Sequence, residues 1–283
     1  MASLIDTRPV SLRKGTHNKQ GSIFWTLSHL LPSLVRVLLS IAAHRNWNML
    51  QLDIYNAFLN GDLIEEVYMD MPLGYPVKND NMVCKLTKSL YGLRQASRQW
   101  FHKFSTTILD QGFQQCPADH SLFTRGSGAT LVPLLVYDDE IIVAGPDQKL
   151  IAEIQLMLAK HFKIKVIGDL KYFLGLEISK SPRGIHLCQR KYTLQLLTET
   201  GFAASKPQSV PMDPNSQLNE TDGDPLEDAS QYRRLIGRLM YLTISRPNIS
   251  FVVNRLSQFM SKPRTPHLHA IYHLLQYLKS SPG

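Results

Sequence analysis

The stretch LLVYDDEIIVA at residues 134–144 places three consecutive acids between two runs of apolar residues. Apolar runs on either side of a short polar segment are typical of two antiparallel strands joined by a tight turn. We therefore expect strands at Thr130–Val136 and Ile141–Ala144, with the acids of 138–140 at the hairpin tip. Buried strands on both sides of an acidic tip are less common for a turn that is merely solvated.

A second acid follows another strand-like run. Residues 49–55 read MLQLDIY, which predicts a strand ending near Asp53, and the turn-like NAFLNG follows at 56–61. Phosphoryl transfer to a hydroxyl uses two divalent cations about 3.5–4 Å apart, held by carboxylates from different chain segments. Asp53 and the hairpin could supply them. The residues alone leave another interpretation open, in which Asp53 caps a turn or helix and the hairpin acids are solvated.

The composition indicates a folded protein with a basic surface. The chain has 283 residues, of which 43% are hydrophobic and 19% charged, enough for one large or two modest domains. Its formal charge of +8 favours a polyanionic partner. The three cysteines are unclustered, so they indicate neither a disulfide framework nor a zinc site. Pro32 and Arg36 interrupt the apolar run at 27–43, and no secretory signal is recognisable, so we expect a cytoplasmic protein without membrane contact.

The remaining chain mixes helical and strand patterns. Long helices are predicted at Leu86–Leu109 and Leu150–Phe162, and a strand at Tyr172–Ser179. The Pro-, Asn-, Asp- and Ser-rich segment Ser205–Asp228 predicts an extended connection. Further helices are predicted at Ser230–Tyr241, Ile249–Met260 and His267–Lys279. Because this order lacks the regular βαβ alternation of a doubly wound sheet, the predicted class is α+β.

Five blocks follow one another along the chain: QLDIYNAFLNG at 51–61, LYGLRQA at 90–96, LVY at 135–137, GDLKYFLG at 168–175 and QYRRLIGRLMYLT at 231–243. In this order they resemble copia-type LTR retrotransposon reverse transcriptases, from about Val35 to Gly283. The resemblance implies an RNA-directed DNA polymerase with a right-hand palm and fingers and a helical thumb or connection. It also implies two Mg²⁺ ions, an RNA or DNA primer–template and deoxynucleoside triphosphates.

The resemblance also implies roles for single residues near the predicted metal site. Asp53, Asp139 and Glu140 match the catalytic set, and the carbonyl of Ile54 would join these three as a further metal ligand. Phe58 resembles the residue that lies under the sugar of the incoming nucleotide and excludes a 2′-hydroxyl. Without the family, Phe58 would be interpreted as an ordinary core residue.

Two more sites are implied in the same way. The lining of the family's nucleotide and template pocket is matched by Tyr91, Gly92, Arg94 and Gln95. The primer grip, a turn that holds the primer end, is matched by Phe173, Leu174 and Gly175. Considered alone, Arg94 is a solvated helix charge and 173–175 is a buried strand.

The acidic hairpin departs from the family pattern, which reads Tyr-Val-Asp-Asp where this chain reads YDDE at 137–140. Without a gap, Asp139 is the first catalytic aspartate, Glu140 replaces the second, and Asp138 replaces the valine. With a slip, Asp138 and Asp139 are the pair and Glu140 is an insertion. We favour the ungapped alignment because the flanking runs fix the register, and a one-residue slip turns every side chain to the opposite face. The carboxylate of Glu140, a metal ligand in this alignment, then lies one methylene farther from the backbone than that of an aspartate, so we expect impaired activity.

The amino-terminal residues 1–34 do not resemble the fingers sequence of the family. Read one register over, however, the codons of Thr7–Lys19 can encode KARLVAKGYTQQ, and those of Gly21–Leu34 can encode VDFLDTFSPVAKL. Both peptides are similar to the fingers of the family. We therefore interpret residues 1–34 as a poorly ordered, out-of-frame remnant of the fingers.

The other expected domains follow from the resemblance. They are 35–182 for the palm and remaining fingers, 183–262 for the thumb or connection, and 263–283 for the start of a segment leading to an RNase H domain that the chain does not include. The two departures leave an alternative function open, in which the chain is a catalytically dead retroelement fragment and at most a non-specific nucleic-acid binder.

We expect the gene to carry both shifted peptides, formed from the third base of each codon and the first two bases of the next. Only the first base of each shifted codon is free within the codon choices of the present residues, so agreement over both runs is very improbable by chance. Sequencing the coding DNA of codons 1–36 tests this expectation. Codons that forbid either peptide would overturn the frameshift interpretation.

Overall fold

The computed structural model describes residues 34–72, 74–75 and 82–283, together with the backbone of Ala2–Asp6. The chain forms two compact units, Met1–Leu170 and Lys171–Gly283. The predicted mixture of helices and strands is confirmed, and every strand pair is antiparallel. Among the described residues, none of the helices has both the length and the apolar character needed to cross a membrane.

The first unit is built on a six-stranded sheet with the order β5-β6-β7-β8-β2-β9. Its strands are β2 (Asn48–Ile54), β5 (Gln114–Gln115), β6 (Leu122–Arg125), β7 (Val132–Tyr137), β8 (Glu140–Gly145) and β9 (Ile164–Asp169). The predicted strands at 49–55, 130–136 and 141–144 correspond to β2, β7 and β8. The edge strand β9 was not predicted, because its sequence IKVIGD is short and half polar.

One face of this sheet is covered by two amphipathic helices, α2 (Ala96–Asp110) and α3 (Gln148–His161). Successive side chains of a strand point to opposite faces, so alternate residues of β2, β7 and β8 join the helices in one core. In α2 the buried residues recur every four positions, at Trp100, Phe104 and Ile108. The Trp100 ring meets Phe162 edge-on, with centroids 5.3 Å apart. A helix at 34–44, named α1, precedes β2.

A second, three-stranded sheet of the first unit has the order β1-β4-β3, with strands at Ala2–Asp6, Met82–Lys88 and Asp62–Asp70. The predicted helix at 86–109 is therefore wrong in its first part. Its amino-terminal residues extend β4, which is paired on both edges, and the left-handed Gly92 (φ 92°) lies in the turn before α2 begins at Ala96.

Residues Ala2–Asp6 form the strand β1, which pairs with β4. The shifted-frame segments at Thr7–Lys19 and Gly21–Leu34 lie outside the described residues, apart from position 34. For them the expectation of poor order stays a prediction.

The second unit combines a small sheet with four helices. Its strands are β10 (Tyr172–Phe173), β11 (Leu176–Ser181) and β12 (Gly184–Cys188), and its helices are α4 (Arg190–Glu199), α5 (Ala229–Leu242), α6 (Ser250–Ser257) and α7 (Thr265–Ser280). The last three confirm the predicted helices. The predicted strand at 172–179 is instead two strands, because the chain turns at Leu174–Gly175.

The division into the two units falls at Leu170, and β10 and β11 belong to the second unit. In that unit Ile271, Leu274 and Leu278 of α7 are fully buried in the same core as α5 and α6. The expected functional domains at 35–182, 183–262 and 263–283 stay a prediction. The segment 205–228 runs as an extended connection, as predicted, and Asp228 caps α5 by accepting a hydrogen bond from the Ser230 amide at 2.8 Å.

His267 is a fully buried histidine at the start of α7. Its Nδ1 accepts a hydrogen bond from the Arg264 amide at 3.0 Å, so its Nε2 carries the proton and donates to the Asn219 carbonyl at 2.9 Å. The ring stacks on Phe259, with centroids 3.9 Å apart. Burial, opposed by the Asn219 bond and assisted by Arg264, lowers the pKa of His267.

We expect the free energy of unfolding to fall as the pH drops below about 6.5, the ordinary pKa of histidine. Below that pH the unfolded chain binds a proton at His267, whereas the buried imidazole of the folded chain stays neutral. The contribution of neutral His267 to the free energy of unfolding is therefore complete above that pH and is lost below it. Urea unfolding between pH 5 and 7.5 measures this slope. His267→Gln should flatten it, whereas His269→Gln, which replaces an exposed imidazole, should not. Equal slopes in all three proteins would contradict the assignment.

Candidate active site

The acids of the hairpin occupy a two-residue turn. Tyr137 at the end of β7 pairs with Glu140 at the start of β8, which leaves Asp138 and Asp139 as the turn residues. Asp138 has a φ of 50°, in the left-handed region. Two-residue hairpins favour a positive φ at this position, and Asp tolerates it better than most residues because its short polar side chain can bond locally.

The ladder beside this turn is continuous. Leu134 pairs with Val143, Leu135 with Ile142, and so on to the turn, without a bulge. An inserted Glu140 would interrupt such a ladder, because the extra residue would have no partner. The ungapped alignment, in which Asp139 and Glu140 take the positions of the two aspartates, requires no such interruption and stays a prediction.

Strand β2 brings Asp53 beside this hairpin. Asp53 lies directly across from Glu140 of β8 on one side and from Lys165 of β9 on the other. Residues directly opposite in antiparallel strands project from the same face. The amide of Ile54 also donates a hydrogen bond to the Asp139 carbonyl at 2.8 Å. The two acidic segments predicted from separate stretches of sequence thus meet at one edge of the central strands.

Burial and neighbouring acids raise the pKa of Asp53 and of Glu140. Burial, and then Asp139, raise the pKa of Asp53, while Lys165 opposes them. Burial, and then Asp139, Asp53 and Asp138, raise the pKa of Glu140. Like charges that are partly removed from water disfavour ionisation, so the cluster carries a concentration of negative charge. A bound cation would neutralise part of this negative charge.

The donor set fits Mg²⁺ in part. Mg²⁺ is commonly bound through one or two carboxylates together with substrate phosphates and water, rather than by a full protein cage. Asp53 and Asp139 supply hard oxygen ligands of this kind. Among the residues that the structure describes, however, no three His, Cys, Asp or Glu side chains are grouped so that they could hold a metal ion. The predicted set of Asp53, Asp139 and Glu140 is brought to one place but does not form a ready cage.

Trp100 of α2 also holds the tip of the hairpin. Its indole Nε1–H donates a hydrogen bond to the Asp138 carbonyl at 2.7 Å, and its ring is almost fully buried. The carbonyls of both turn residues therefore have fixed partners, one from α2 and one from β2. The sequence did not indicate this role, because an aromatic residue at helical spacing predicts only core packing. Lys165 was also missed, since it lies on the unpredicted strand β9.

Phe58 and Tyr91 form an aromatic pair near these acids. Phe58 lies on a short 3-10 helix at Ala57–Asn60, and its ring meets that of Tyr91 edge-on, with centroids 5.0 Å apart and planes at 70°. Burial, and then the charges of Asp139 and Asp53, raise the pKa of Tyr91, so its hydroxyl lies within electrostatic reach of both carboxylates. Phe58 is half-buried and packs against the core of the first unit.

A close approach of the backbone positions this 3-10 helix. A Cβ on Gly61 would lie 2.9 Å from the amide nitrogen of Trp100 and 3.0 Å from Gln99, so no larger residue fits there without a shift. Gly61 thus allows the segment carrying Phe58 to dock against the first turn of α2.

The other predicted pocket residues lie in the turn before α2. Gly92 and Arg94 are exposed, and Gln95 is half-buried at the amino-terminal cap of the helix. Of this predicted set, Tyr91 is close enough to Asp139 and Asp53 for their charges, after burial, to raise its pKa.

The predicted primer-grip residues belong to the second unit. Phe173 and Leu176 pair across a two-residue turn made of Leu174 and Gly175. Both turn residues are left-handed, with φ values of 50° and 73°. Phe173, the residue before the turn, is fully buried.

Comparison with known proteins gives a consistent assignment. The sequence model of the family "Reverse transcriptase (RNA-dependent DNA polymerase)" matches residues 26–214. This match begins inside the segment 1–34, so residues 26–34 resemble the family more than the sequence pattern indicated. Among solved structures, telomerase from Candida albicans covers 94% of the chain and 50% of its own, at 8% identity and a TM-score of 0.29, which supports no argument.

Curated relatives include Pol polyproteins of plant transposons. The retrovirus-related Pol polyprotein from transposon RE1 of Arabidopsis thaliana is 43% identical over 273 residues, covering 95% of this chain and 19% of that protein. That from transposon TNT 1-94 of Nicotiana tabacum is 34% identical and covers 95% of this chain and 21% of its own. The putative transposon Ty5-1 protein of Saccharomyces cerevisiae is 31% identical, covering 80% of this chain and 75% of its own.

The chain therefore spans about a fifth of the length of the plant polyproteins that it matches. The family match covers well over half of the chain, and the same region holds the acidic hairpin, Asp53 and the Phe58–Tyr91 pair. The chain belongs to the reverse transcriptase (RNA-dependent DNA polymerase) family, among the copia-type retrotransposon enzymes.

Proposed function

We propose that this chain carries an impaired form of its family's polymerase site, which adds deoxynucleotides to a primer 3′-hydroxyl on an RNA template. The observation that carries the proposal is the placement of Asp53 beside the Asp139–Glu140 hairpin, with Asp53 and Glu140 directly opposite in adjacent strands. Carboxylates from separate segments that meet on one face are the arrangement that two-metal phosphoryl transfer requires.

Asp53 and Asp139 would hold two Mg²⁺ ions, with the Ile54 carbonyl and Glu140 as further ligands. When bound, the ions favour ionisation of the primer hydroxyl and neutralise the leaving pyrophosphate. The residues of the chain contribute position and charge. The mutual repulsion of Asp53, Asp139 and Glu140 favours cation binding, and the hydrogen bonds from Trp100 and Ile54 hold the turn in place.

The Phe58–Tyr91 pair would form the wall against the sugar of the incoming nucleotide. Phe58 excludes a 2′-hydroxyl by occupying the space beneath the sugar, and the edge-on contact with Tyr91 limits the ring's freedom. Gly92, Arg94 and Gln95 would line the template and triphosphate side of the same pocket. A primer–template binds mainly through its phosphates, so affinity falls with salt and depends little on sequence.

The two units would correspond to the parts of a right-hand polymerase. The six-stranded sheet with α2 and α3 corresponds to the palm, and the sheet of β1, β3 and β4 corresponds to what remains of the fingers. The second unit corresponds to the thumb or connection, with the primer grip of Phe173, Leu174 and Gly175 at its first turn.

Two lesions support impairment of the site, the altered hairpin with Asp138 and Glu140 and the altered amino-terminal segment. Glu140 carries one methylene more than the aspartate it replaces, and active sites tolerate errors of about 0.5 Å. Asp138 adds a charge where the family has valine, next to the path of the primer phosphates. The out-of-frame segment, proposed here from the shifted peptides, would also have lost the basic fingers residues that grip the triphosphate.

The second candidate function is a dead fragment that binds nucleic acid without specificity. The lack of a three-carboxylate group among the described residues favours it, as does the net charge of +8. The two functions differ in one measurable respect. Only the polymerase requires that a divalent ion bind at Asp53 and Asp139.

We expect purified chain, given Mg²⁺, a primed RNA template and deoxynucleotides, to extend the primer at or near background. Each lesion alone could cost about 2–4 kcal/mol of transition-state stabilisation, comparable to losing one preorganised contact. Primer extension on a denaturing gel measures the product. Robust extension that Asp53→Asn abolishes would show that the damage is overstated.

Repair of the two lesions separates their effects. Asp138→Val with Glu140→Asp should restore little alone, because the fingers segment is still missing its basic strand. The same changes combined with replacement of residues 1–34 by the shifted-frame peptides should restore much more, and since both lesions act on one phosphoryl centre their effects need not add.

Divalent-ion binding should appear as a change in stability. Because burial and Asp139 raise the pKa of Asp53, its ionised carboxylate destabilises the fold near pH 7, and Asp53→Asn should raise the free energy of unfolding without metal. Mn²⁺ at ten times its Kd should stabilise the unaltered chain by about 1.4 kcal/mol and Asp53→Asn by much less. Asp110→Asn, an exposed control in α2, should respond like the unaltered chain. Equal stabilisation of all three proteins by Mn²⁺ would contradict the assignment of a metal site to Asp53.

A further inference from the structure

The turn between β10 and β11 contains an unfavourable backbone conformation. Leu174 has a φ of 50°, and the left-handed region is unfavourable for a residue with a Cβ. Gly175 follows with a φ of 73°, which glycine adopts without penalty. The turn therefore stays in this form only if surrounding contacts compensate for Leu174.

Tyr241 of α5 supplies those contacts. Its hydroxyl donates a hydrogen bond to the Leu174 carbonyl. A Cβ on Gly175 would lie 3.4 Å from the Tyr241 hydroxyl oxygen and 3.5 Å from its Cε1, so the ring lies directly over the turn. This hydrogen bond offsets the unfavourable conformation of Leu174. Removing it should shift the turn toward other conformations.

The Tyr241 ring is itself held by its neighbours. It meets Tyr192 of α4 edge-on, with centroids 5.2 Å apart. The guanidinium of Arg238, one turn before Tyr241 on α5, lies 5.7 Å from the centre of the Tyr192 ring and pairs with Glu199 of α4 at 2.5 Å. These contacts tie α4 and α5 together on the side where the hydroxyl reaches the turn, so the donor has little freedom to leave its acceptor.

We propose that Tyr241 is a positioning residue that locks the Leu174–Gly175 turn in the conformation that receives the end of the primer strand. The proposal rests on the proposed function, in which 173–175 hold that end. It links two separate sequence blocks, GDLKYFLG at 168–175 and QYRRLIGRLMYLT at 231–243, through one hydrogen bond. A purely structural tyrosine would stabilise the unit without any preference for the primer end.

The first arm of the test concerns the turn alone and uses the full chain. Tyr241→Phe removes one hydroxyl and keeps the ring, so the fold should persist, as a melting curve will verify. Amide hydrogen exchange across 172–178 should become about fivefold faster, the change expected for losing a bond of about 1 kcal/mol. Tyr272→Phe, a half-buried tyrosine packed on Phe202 in the same unit, is the control and should leave exchange there unchanged.

A double substitution sharpens this arm. Leu174→Gly removes the left-handed penalty, so adding Tyr241→Phe to it should have a smaller effect on the turn than in the unaltered chain. Unchanged exchange in Tyr241→Phe, or equal effects of Tyr241→Phe with and without Leu174→Gly, would overturn the proposal.

The second arm concerns the primer end. A primer–template with a recessed 3′ end carrying 2-aminopurine is compared with a blunt duplex of equal length. Tyr241→Phe should weaken binding of the recessed end by about three- to tenfold and leave the blunt duplex unchanged, and Tyr272→Phe should change neither. Equal weakening of both duplexes would show a structural role only. If the unaltered chain binds neither duplex, the primer role fails together with the proposed function, while the exchange arm still decides whether Tyr241 holds the turn.

Discussion

Strand β2 is paired along both edges, with β8 on one side and β9 on the other, and this double pairing determines where the acids of the first unit meet. It fixes Asp53 between Glu140 and Lys165 and aims the Ile54 amide at the Asp139 carbonyl. A slip of one residue on either side would send Asp53 to the face that packs on α2 and α3. The apolar residues of β2 therefore position the acid as much as they build the core.

The two turns for which we propose functional roles, at 138–139 and 174–175, are stabilised in the same way. In each, a residue other than glycine takes a left-handed conformation, and an aromatic side chain from a helix donates a hydrogen bond to its carbonyl. Trp100 serves Asp138 in the first unit, and Tyr241 serves Leu174 in the second. An indole or phenol suits this purpose because its apolar body is buried in the core while its polar end reaches one acceptor. The core thereby sets the conformation of each turn.

The sequence predicted the elements with strong apolar patterns and the meeting of the two acidic segments. It failed for elements whose conformation depends on contacts with distant parts of the chain, because such contacts leave no pattern in the local sequence. The strand β4 looked like the start of a helix, because its pairing with β1 and β3 is not visible in its own residues. The strand β9 was too polar to recognise, and with it the position of Lys165 beside Asp53 was missed. Trp100 was visible only as a core residue, since a hydrogen bond to a distant carbonyl leaves no periodic signal.

Strand β8 is also paired along both edges, with β7 and with β2, and this limits how the chain can accommodate the extra methylene of Glu140. Glu140 is opposite Tyr137 in one ladder and opposite Asp53 in the other, and both ladders continue without interruption beyond it. The backbone at this position cannot retreat to compensate for a longer side chain, because any shift would break pairs on both sides at once. The adjustment is left to the side-chain torsions, and burial next to Asp139 and Asp53 limits the rotamers that keep the carboxylates apart. The impairment that we propose at this position would therefore follow from side-chain length in a rigid frame rather than from a misplaced strand.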